Sequence, residues 1–250
     1  MARSTTGESV LQRVVRILET FDCDCTAVSI TDVASRSGLP LSTASRMINE
    51  LEEHGLLERD GNRQVRIGMR LWELASRASP TRGLRDAAMP FLEDLHAIIG
   101  HHVQVGVLDG TEVLFIERLS APGAVVNVTR IAGRLPLHAS SSGLLLLAHG
   151  PAALHEQILG GPLPAFTAET IVDPRALRVF VAEVRRTGAA VCPGFIHEDA
   201  LGIAVPIRED NDRVIAALSV VVPRGEHIPA HVMALQTAAM GIRRAMRRPL

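Results

Sequence analysis

The sequence predicts an α+β chain in two parts: a small helical unit closed by a strand hairpin, then a larger unit of hairpin-linked strands flanked by helices. Three observations predict it. Apolar residues recur at helical spacing in three short segments before residue 54, two alternating runs flank an Asp60-Gly61 turn signal, and beyond residue 100 the texture changes to alternating strands. A chain of 250 residues has room for two such units, each with its own core.

Residues 1 to 8 are polar and carry no periodicity. Ser9 and Gln12 have capping-box spacing, and Val10, Val14, Ile17, Leu18 and Phe21 follow on one face, so a helix is expected from Ser9 to about Thr20. The FDCDCTA stretch reads as a connector. Ser29 with Asp32 repeats the capping signal, and Ile30, Val33 and Ala34 line a second short helix that Gly38 ends. Pro40 opens a tight turn into a third helix over Ser42 to Glu53, whose buried stripe is Ala44, Met47, Ile48 and Leu51. Leu57, Arg59, Val65 and Ile67 then suggest two strands around Asp60-Gly61. Helix, helix, turn, helix, hairpin is the order of a winged helix-turn-helix.

Residues 69 to 95 form a helical pattern (Leu71, Leu74, Ala75, Ala78) broken near Pro80 and resumed through Leu84, Ala88, Phe91, Leu92 and Leu95. This is read as a helical linker whose apolar face packs on a second subunit or within its own chain. Strands are expected in HHVQVGVLDG, TEVLFIERL and AVVNVTRI, then a helix from about Ser140 to Ala148 and further helices to Arg186. The strands AAVC, LGIAVPIR and RVIAALSVVVP follow, and a helix from Pro229 to Arg247 closes the pattern. The expected domains are 1–68, a linker at 69–90, and 91–250.

Composition narrows the function classes. The longest apolar run, near Leu144 to Ala148, is far too short to span a bilayer, and the N-terminus has no apolar leader, so no membrane association and a cytoplasmic location are expected. Three cysteines do not make a disulfide framework. The formal net charge is −1, and residues 1 to 70 hold nine arginines against ten acidic residues, so any affinity for nucleic acid must come from placement and dimerisation. All 26 basic residues are arginine, which codon bias explains, although arginine also suits bidentate contacts to phosphate and guanine.

Placement is where the third helix stands out. Ser42, Ser45, Arg46 and Asn49 share its outer face, spaced i, i+3, i+4 and i+7, with Thr43 beside them. Arg63 and Arg66 sit where a wing would meet the DNA backbone. Separately each arginine is an ordinary solvated side chain; on three adjoining elements they make a candidate DNA-binding surface. The rival is a three-helix core whose hairpin binds protein, with Arg243, Arg244, Arg247 and Arg248 as a basic tail, although cations at a helix C-terminus also suit its dipole.

Catalytic and metal readings find less support. Cys192 and His197 lie close in sequence, yet VCPGFIH has no established nucleophile signature, so no enzyme activity is expected. Asp22-Cys23-Asp24-Cys25, even with His101 and His102 as remote ligands, lacks the usual spacing of zinc cysteines, so no metal and no cofactor are expected. His138 reads as a packed or capping residue, and GGPLPAF as a loop without phosphate-loop order.

Three motifs resemble those of the IclR-type bacterial transcriptional regulators: LPLSTASRMINELEEHGLLERD in the winged helix, GRLPLHASSSG at Gly133 to Gly143, and GIAVPIRED paired with RVIAALSVVVP. The resemblance spans nearly the whole chain. It implies a GAF-like effector-binding domain after the linker, binding to a double-stranded DNA operator as a homodimer or dimer of dimers, and a small-molecule effector, a carboxylate or aromatic metabolite, that changes operator affinity. It places effector contacts at Asn127, Ser141, Ser142, Cys192, Gly202 and Ser219. Helix N-terminal amides at Ser141 and Ser142 suit a carboxylate. The chain departs from the family pattern at Gly202, Cys192, Leu144 and Val221, where many members carry cysteine, an acid, lysine and serine. A less polar pocket and a larger or more apolar effector than a small oxoacid are therefore expected.

Overall fold

The computed structural model describes residues 8–22, 25–77 and 81–247. It divides into two compact units, one up to Pro80 and one from Thr81 onward.

In the first unit α1 (Val10–Leu18) starts at Ser9, whose hydroxyl and Gln12 form the full capping box. Strand β1 (Ala27–Val28) precedes α2 (Ile30–Ser37), which is capped by Ser29 and ended by Gly38 in the left-handed conformation at φ 63°. Without a Cβ, Gly38 takes this turn at no steric cost. Helix α3 (Leu41–Glu53) buries Ala44, Met47, Ile48 and Leu51 as its periodicity expects. Strands β2 (Leu57–Arg59) and β3 (Val65–Ile67) form the hairpin, and β1 joins β3 to make a three-stranded sheet. Of β1 only Ala27 falls in the FDCDCTA stretch that reads as a connector, and a two-residue strand carries no period to mark it. Ile17, Val33, Met47, Ile48, Leu57 and Val65 make one core under helices and sheet. Helix α4 (Met69–Arg77) follows and has no buried residue, with Met69 and Trp72 both about two-thirds exposed. Ala78 and Pro80 of the linker pattern lie outside the described residues.

The second unit begins with α5 (Arg82–Ile99), which runs through Pro90. Its sheet is built from β4 (His102–Asp109), β5 (Glu112–Leu119), β6 (Arg134–Pro136), β7 (Ala190–Pro193), β8 (Ala200–Arg208) and β9 (Val214–Pro223). The order is β6-β5-β4-β9-β8-β7, with every neighbouring pair antiparallel. Alternation of side chains divides the sheet into two faces. Val103, Val105, Ile203, Val205, Leu218 and Val220 pack under α5 and α9 (Ile228–Met246). Phe115, Ala190, Cys192, Ala204 and Ala217 pack under α6 (Ser141–His149) and α8 (Pro174–Thr187), with α7 (Ala152–Leu159) between them in sequence. Among the described residues no helix is long and apolar enough to cross a membrane.

Two differences from the sequence reading matter. Residues 124–130, expected as a strand, have no regular structure; their polar contacts run to side chains of β4 and β5 instead of to a ladder. And β5 carries a bulge, with Val105 paired to Glu117 but Gly106 to Phe115, so Ile116 is the extra residue. The bulge reverses the alternation. Val113 and Phe115 face α6, Glu117 faces α5, and Arg118 returns to the α6 side directly opposite Gln104.

Candidate functional site

On the first unit, Ser42, Arg46 and Asn49 are exposed on α3, and Thr43 and Ser45 are half-exposed beside them. Asp60 builds the hairpin turn by accepting from the amides of Asn62 and Gln64, each at 2.9 Å. The left-handed residue there is Arg63, at φ 61°, and not Gly61, so the arginine stands at the tip of the wing. Each other arginine of the face meets an acid: Arg46 donates to Glu50 at 2.6 Å and Arg66 to Glu58 at 2.7 Å. Arg59, which sequence reasoning missed, bridges Glu52 at 3.2 Å and the Asn49 carbonyl at 2.7 Å, tying α3 to β2. Such exposed pairs are worth little, so a phosphate can displace the acid.

The second unit holds a cavity, partly open to solvent, between the start of α6 and the sheet. Ser140 caps α6, its hydroxyl accepting from Gly143 at 3.0 Å. The amides of Ser141 and Ser142, in the first turn, have no intrahelical acceptor. Gly143 is required because a Cβ there would lie 2.6 Å from Leu137 Cα. Gly202 on β8 lets Ser141 approach, since its Cβ would meet Ser141 Oγ at 2.9 Å.

Sheet register explains why distant residues meet here. Gln104, Ser219 and Ala204 form one row across β4, β9 and β8; His102, Val221, Gly202 and Cys192 form the next row across β4, β9, β8 and β7. Asn127, Ser141, Ser142, Cys192 and Gly202 all line the cavity. Ser219 lies beneath it, fully buried, accepting from the Ser142 hydroxyl at 2.8 Å. Sequence reasoning missed Gln104, Thr129 and Phe195 on the walls. Only the register and the path of residues 124–130 bring them there.

That irregular segment straps over the cavity by side-chain bonds. His102 donates Nε2–H to the Val125 carbonyl at 2.6 Å and accepts from Ser120 Oγ at 3.1 Å. Burial lowers the His102 pKa; the Val125 carbonyl opposes the shift, and Arg118, His101 and His96 add to it. Arg118 donates to the Thr129 carbonyl, and Gln104 Oε1 accepts from Thr129 Oγ1 at 2.6 Å and Asn127 Nδ2 at 3.3 Å. The remaining wall is mostly apolar, from Val126, Val128, Leu135, Phe195, Ile196 and Val221, with His197 beside them. Among the described residues no acidic side chain lines it.

Of the catalytic candidates, Cys192 and His197 both line this cavity. Cys192 is buried and its thiol pKa is pushed up by desolvation, the opposite of what a nucleophile needs. His197 lines the same cavity with Nδ1 accepting from the Asp199 amide at 3.3 Å. His138 is buried, its Nε2 donating to the Pro164 carbonyl at 2.9 Å. Cys23 and Asp24 lie outside the described residues, and no metal-binding cluster of three or more His, Cys, Asp or Glu occurs among the described ones.

Comparison with known proteins covers both units. Residues 10–61 match the family model described as the IclR helix-turn-helix domain, and residues 77–243 that of the bacterial transcriptional regulator IclR C-terminal domain. The chain is 32% identical over 211 residues to the HTH-type transcriptional regulator XynR of Escherichia coli, covering 84% of each. It is 30% identical over 221 residues to the HTH-type transcriptional repressor AllR of the same species, covering 86% of this chain and 80% of that one. A crystal structure of an IclR homologue from Microbacterium hydrocarbonoxydans, complexed with 4-hydroxybenzoate, superposes with a TM-score of 0.92. It is 48% identical, and the match covers 96% of this chain and 99% of that one.

Proposed function

The chain belongs to the IclR family of bacterial transcriptional regulators, and we propose that its effector is an aromatic carboxylate held under the first turn of α6. It is a sequence-specific DNA-binding regulator whose operator affinity a small molecule in the C-terminal unit controls. The observation that carries the effector proposal is the cavity wall: helix-start amides and hydroxyls at Ser141 and Ser142 on one side, mostly apolar side chains around, and no acidic group among the described residues. A carboxylate on the amides and a ring against Phe195, Val126 and Val221 matches that chemistry. The homologue complexed with 4-hydroxybenzoate, at 48% identity, supports the same class.

In this reading residues 1–68 bind DNA through Ser42, Thr43, Ser45, Arg46, Asn49, Arg63 and Arg66, residues 69–90 link, and residues 91–250 bind effector. The exposed apolar side chains of α4 support assembly as a homodimer or dimer of dimers, which a two-half-site operator also requires. The buried thiol of Cys192 supports a non-catalytic role, and the protein works in the cytoplasm, where its operator lies.

Fluorescence anisotropy tests the proposal. The full chain is titrated onto DNA upstream of its own gene and onto a scrambled duplex across a salt series, then with benzoate, 4-hydroxybenzoate and glyoxylate. Selective, salt-sensitive binding shifted by the aromatic acids is expected. A shift by glyoxylate alone would overturn the aromatic assignment.

A further inference from the structure

Resting on the reading of the cavity as an effector pocket, we infer that Gln104 is a specificity residue that presents an amide N–H donor to the end of the effector opposite its carboxylate. The contact with Asn127 assigns the orientation. The backbone amide of Thr129 can only donate, and it donates to Asn127 Oδ1 at 3.0 Å, so the Asn127 oxygen faces Thr129 and its NH2 group faces away. That NH2 meets Gln104 at 3.3 Å, where only the Gln104 oxygen can accept. Thr129 Oγ1, with one proton to give, lies 2.6 Å from the same oxygen and 2.8 Å from Asn127 Oδ1. Gln104 Oε1 is therefore the atom turned to Asn127 and Thr129, and the side chain has no other hydrogen bond among the described residues. Its NH2 group is what remains for the cavity it lines.

Position assigns the end. Ser141 stands over Gly202 on β8, whereas Gln104 is on β4, with β9 between them. Gly202 pairs with Val221 and Gln104 with Ser219, two residues away. Strand spacing and rise put the two Cα atoms about 12 Å apart. The α6 amides and Gln104 thus stand toward opposite ends of the cavity, and a ring with a polar substituent at each end spans from one to the other. An effector that offers a hydrogen-bond acceptor para to its carboxylate is satisfied; one that offers only N–H donors faces donors.

Isothermal titration calorimetry on the full chain with benzoate, 4-formylbenzoate and 4-aminobenzoate reads this directly. The wild type should bind 4-formylbenzoate at least about tenfold more tightly than 4-aminobenzoate. Gln104→Met, close in size and uncharged, removes the donor, so the preference for 4-formylbenzoate should fall to about threefold or less. Thr129→Val, which frees the amide to turn, should shrink the wild-type preference. An unchanged preference in Gln104→Met overturns the inference while leaving the pocket assignment standing. Absence of binding by all three acids to the wild type overturns the pocket assignment and this inference with it. If Gln104→Met binds none of the acids, Thr129→Val decides, and an unchanged preference there overturns the inference.

Discussion

Ser219 is 0% exposed beneath α6, and its hydroxyl oxygen lies 2.8 Å from Ser142 Oγ. Ser219→Ala removes the acceptor and leaves a hydroxyl, on a residue only 1% exposed, without this partner. A stranded buried hydroxyl costs about 1–3 kcal/mol, more than the net worth of the bond itself. The replaced atom is small, so the cavity contribution is minor, and a loss near 1.5 kcal/mol is expected for either Ser219→Ala or Ser142→Ala. Removing both hydroxyls strands neither, so the double variant should lose about 1 kcal/mol less than the sum of the singles. In a unit of this size 1 kcal/mol moves the melting temperature by about 2–4 °C. Differential scanning calorimetry of the four chains, following the C-terminal unit's transition, measures the cycle. Additive losses, with coupling below about 0.3 kcal/mol, would refute the claim that the two hydroxyls satisfy each other.

The DNA face gives a prediction of opposite sign to the usual alanine scan. Glu50→Gln frees Arg46 from its 2.6 Å pair and should raise operator affinity about twofold to fivefold in anisotropy, whereas Arg46→Ala lowers it; weaker binding by Glu50→Gln would place Arg46 away from phosphate. Arg63→Ala, at the wing tip, should reduce the slope of log affinity against log salt by about 0.9 if it meets one phosphate. Burial holds the Cys192 thiol pKa up, so mass spectrometry after maleimide treatment at neutral pH should find Cys192 unlabelled in the native chain and labelled in urea. Rapid native labelling would mean that the cavity floor opens. Acid should destabilise the C-terminal unit. His102 is depressed first by burial and by the nearby Arg118, His101 and His96, against the Val125 carbonyl. His149 is depressed by burial, Arg208 and Arg185, against Asp212. The unfolded chain takes up protons first, so their contribution is complete above the unfolded value of 6.5 and is lost as pH falls through the lower folded values. His102→Gln with His149→Gln should flatten the melting temperature between pH 7 and 5, and an unchanged slope would assign the acid response to other groups.

Periodicity carried most of the fold. The buried stripe of α3, the caps at Ser9 and Ser29 and the stop at Gly38 are local devices, written within four residues of where they act. Strand identity was legible for β4, β5, β8 and β9 because alternation or long apolar runs mark a covered sheet. AVVNVTRI misled for a physical reason: its alternating valines suit a strand, but the valines at 126 and 128 line a cavity, and the intervening polar groups bond to β4 side chains. The site was legible only where a motif carried it. Ser141 and Ser142 are visible as a helix start, and Gly202 follows once the family is recognised. Gln104 has no local signature, since its place depends on a register with β9 over a hundred residues away and on a one-residue bulge in β5.

That bulge also fixes how the cavity rim is joined to α5. Without the extra residue at Ile116, Glu117 would point toward α6 and Arg118 toward α5. As built, two consecutive residues serve opposite faces of one strand. Arg118 holds the strap through the Thr129 carbonyl, while Glu117 takes Arg85, in the first turn of α5, at 2.6 Å. The Glu117 side chain is only 4% exposed against 56% for Arg85, so the pair is asymmetric: the carboxylate depends on Arg85 and on the Arg118 amide at 3.0 Å, and losing either leaves a buried charge poorly satisfied. The apolar cores on the two faces of the sheet are separate clusters, and each fills its own side. The polar connection through β5 is therefore a covalent and hydrogen-bonded route from the cavity rim to the start of α5, running from the Thr129 carbonyl through Arg118 and Glu117 to Arg85.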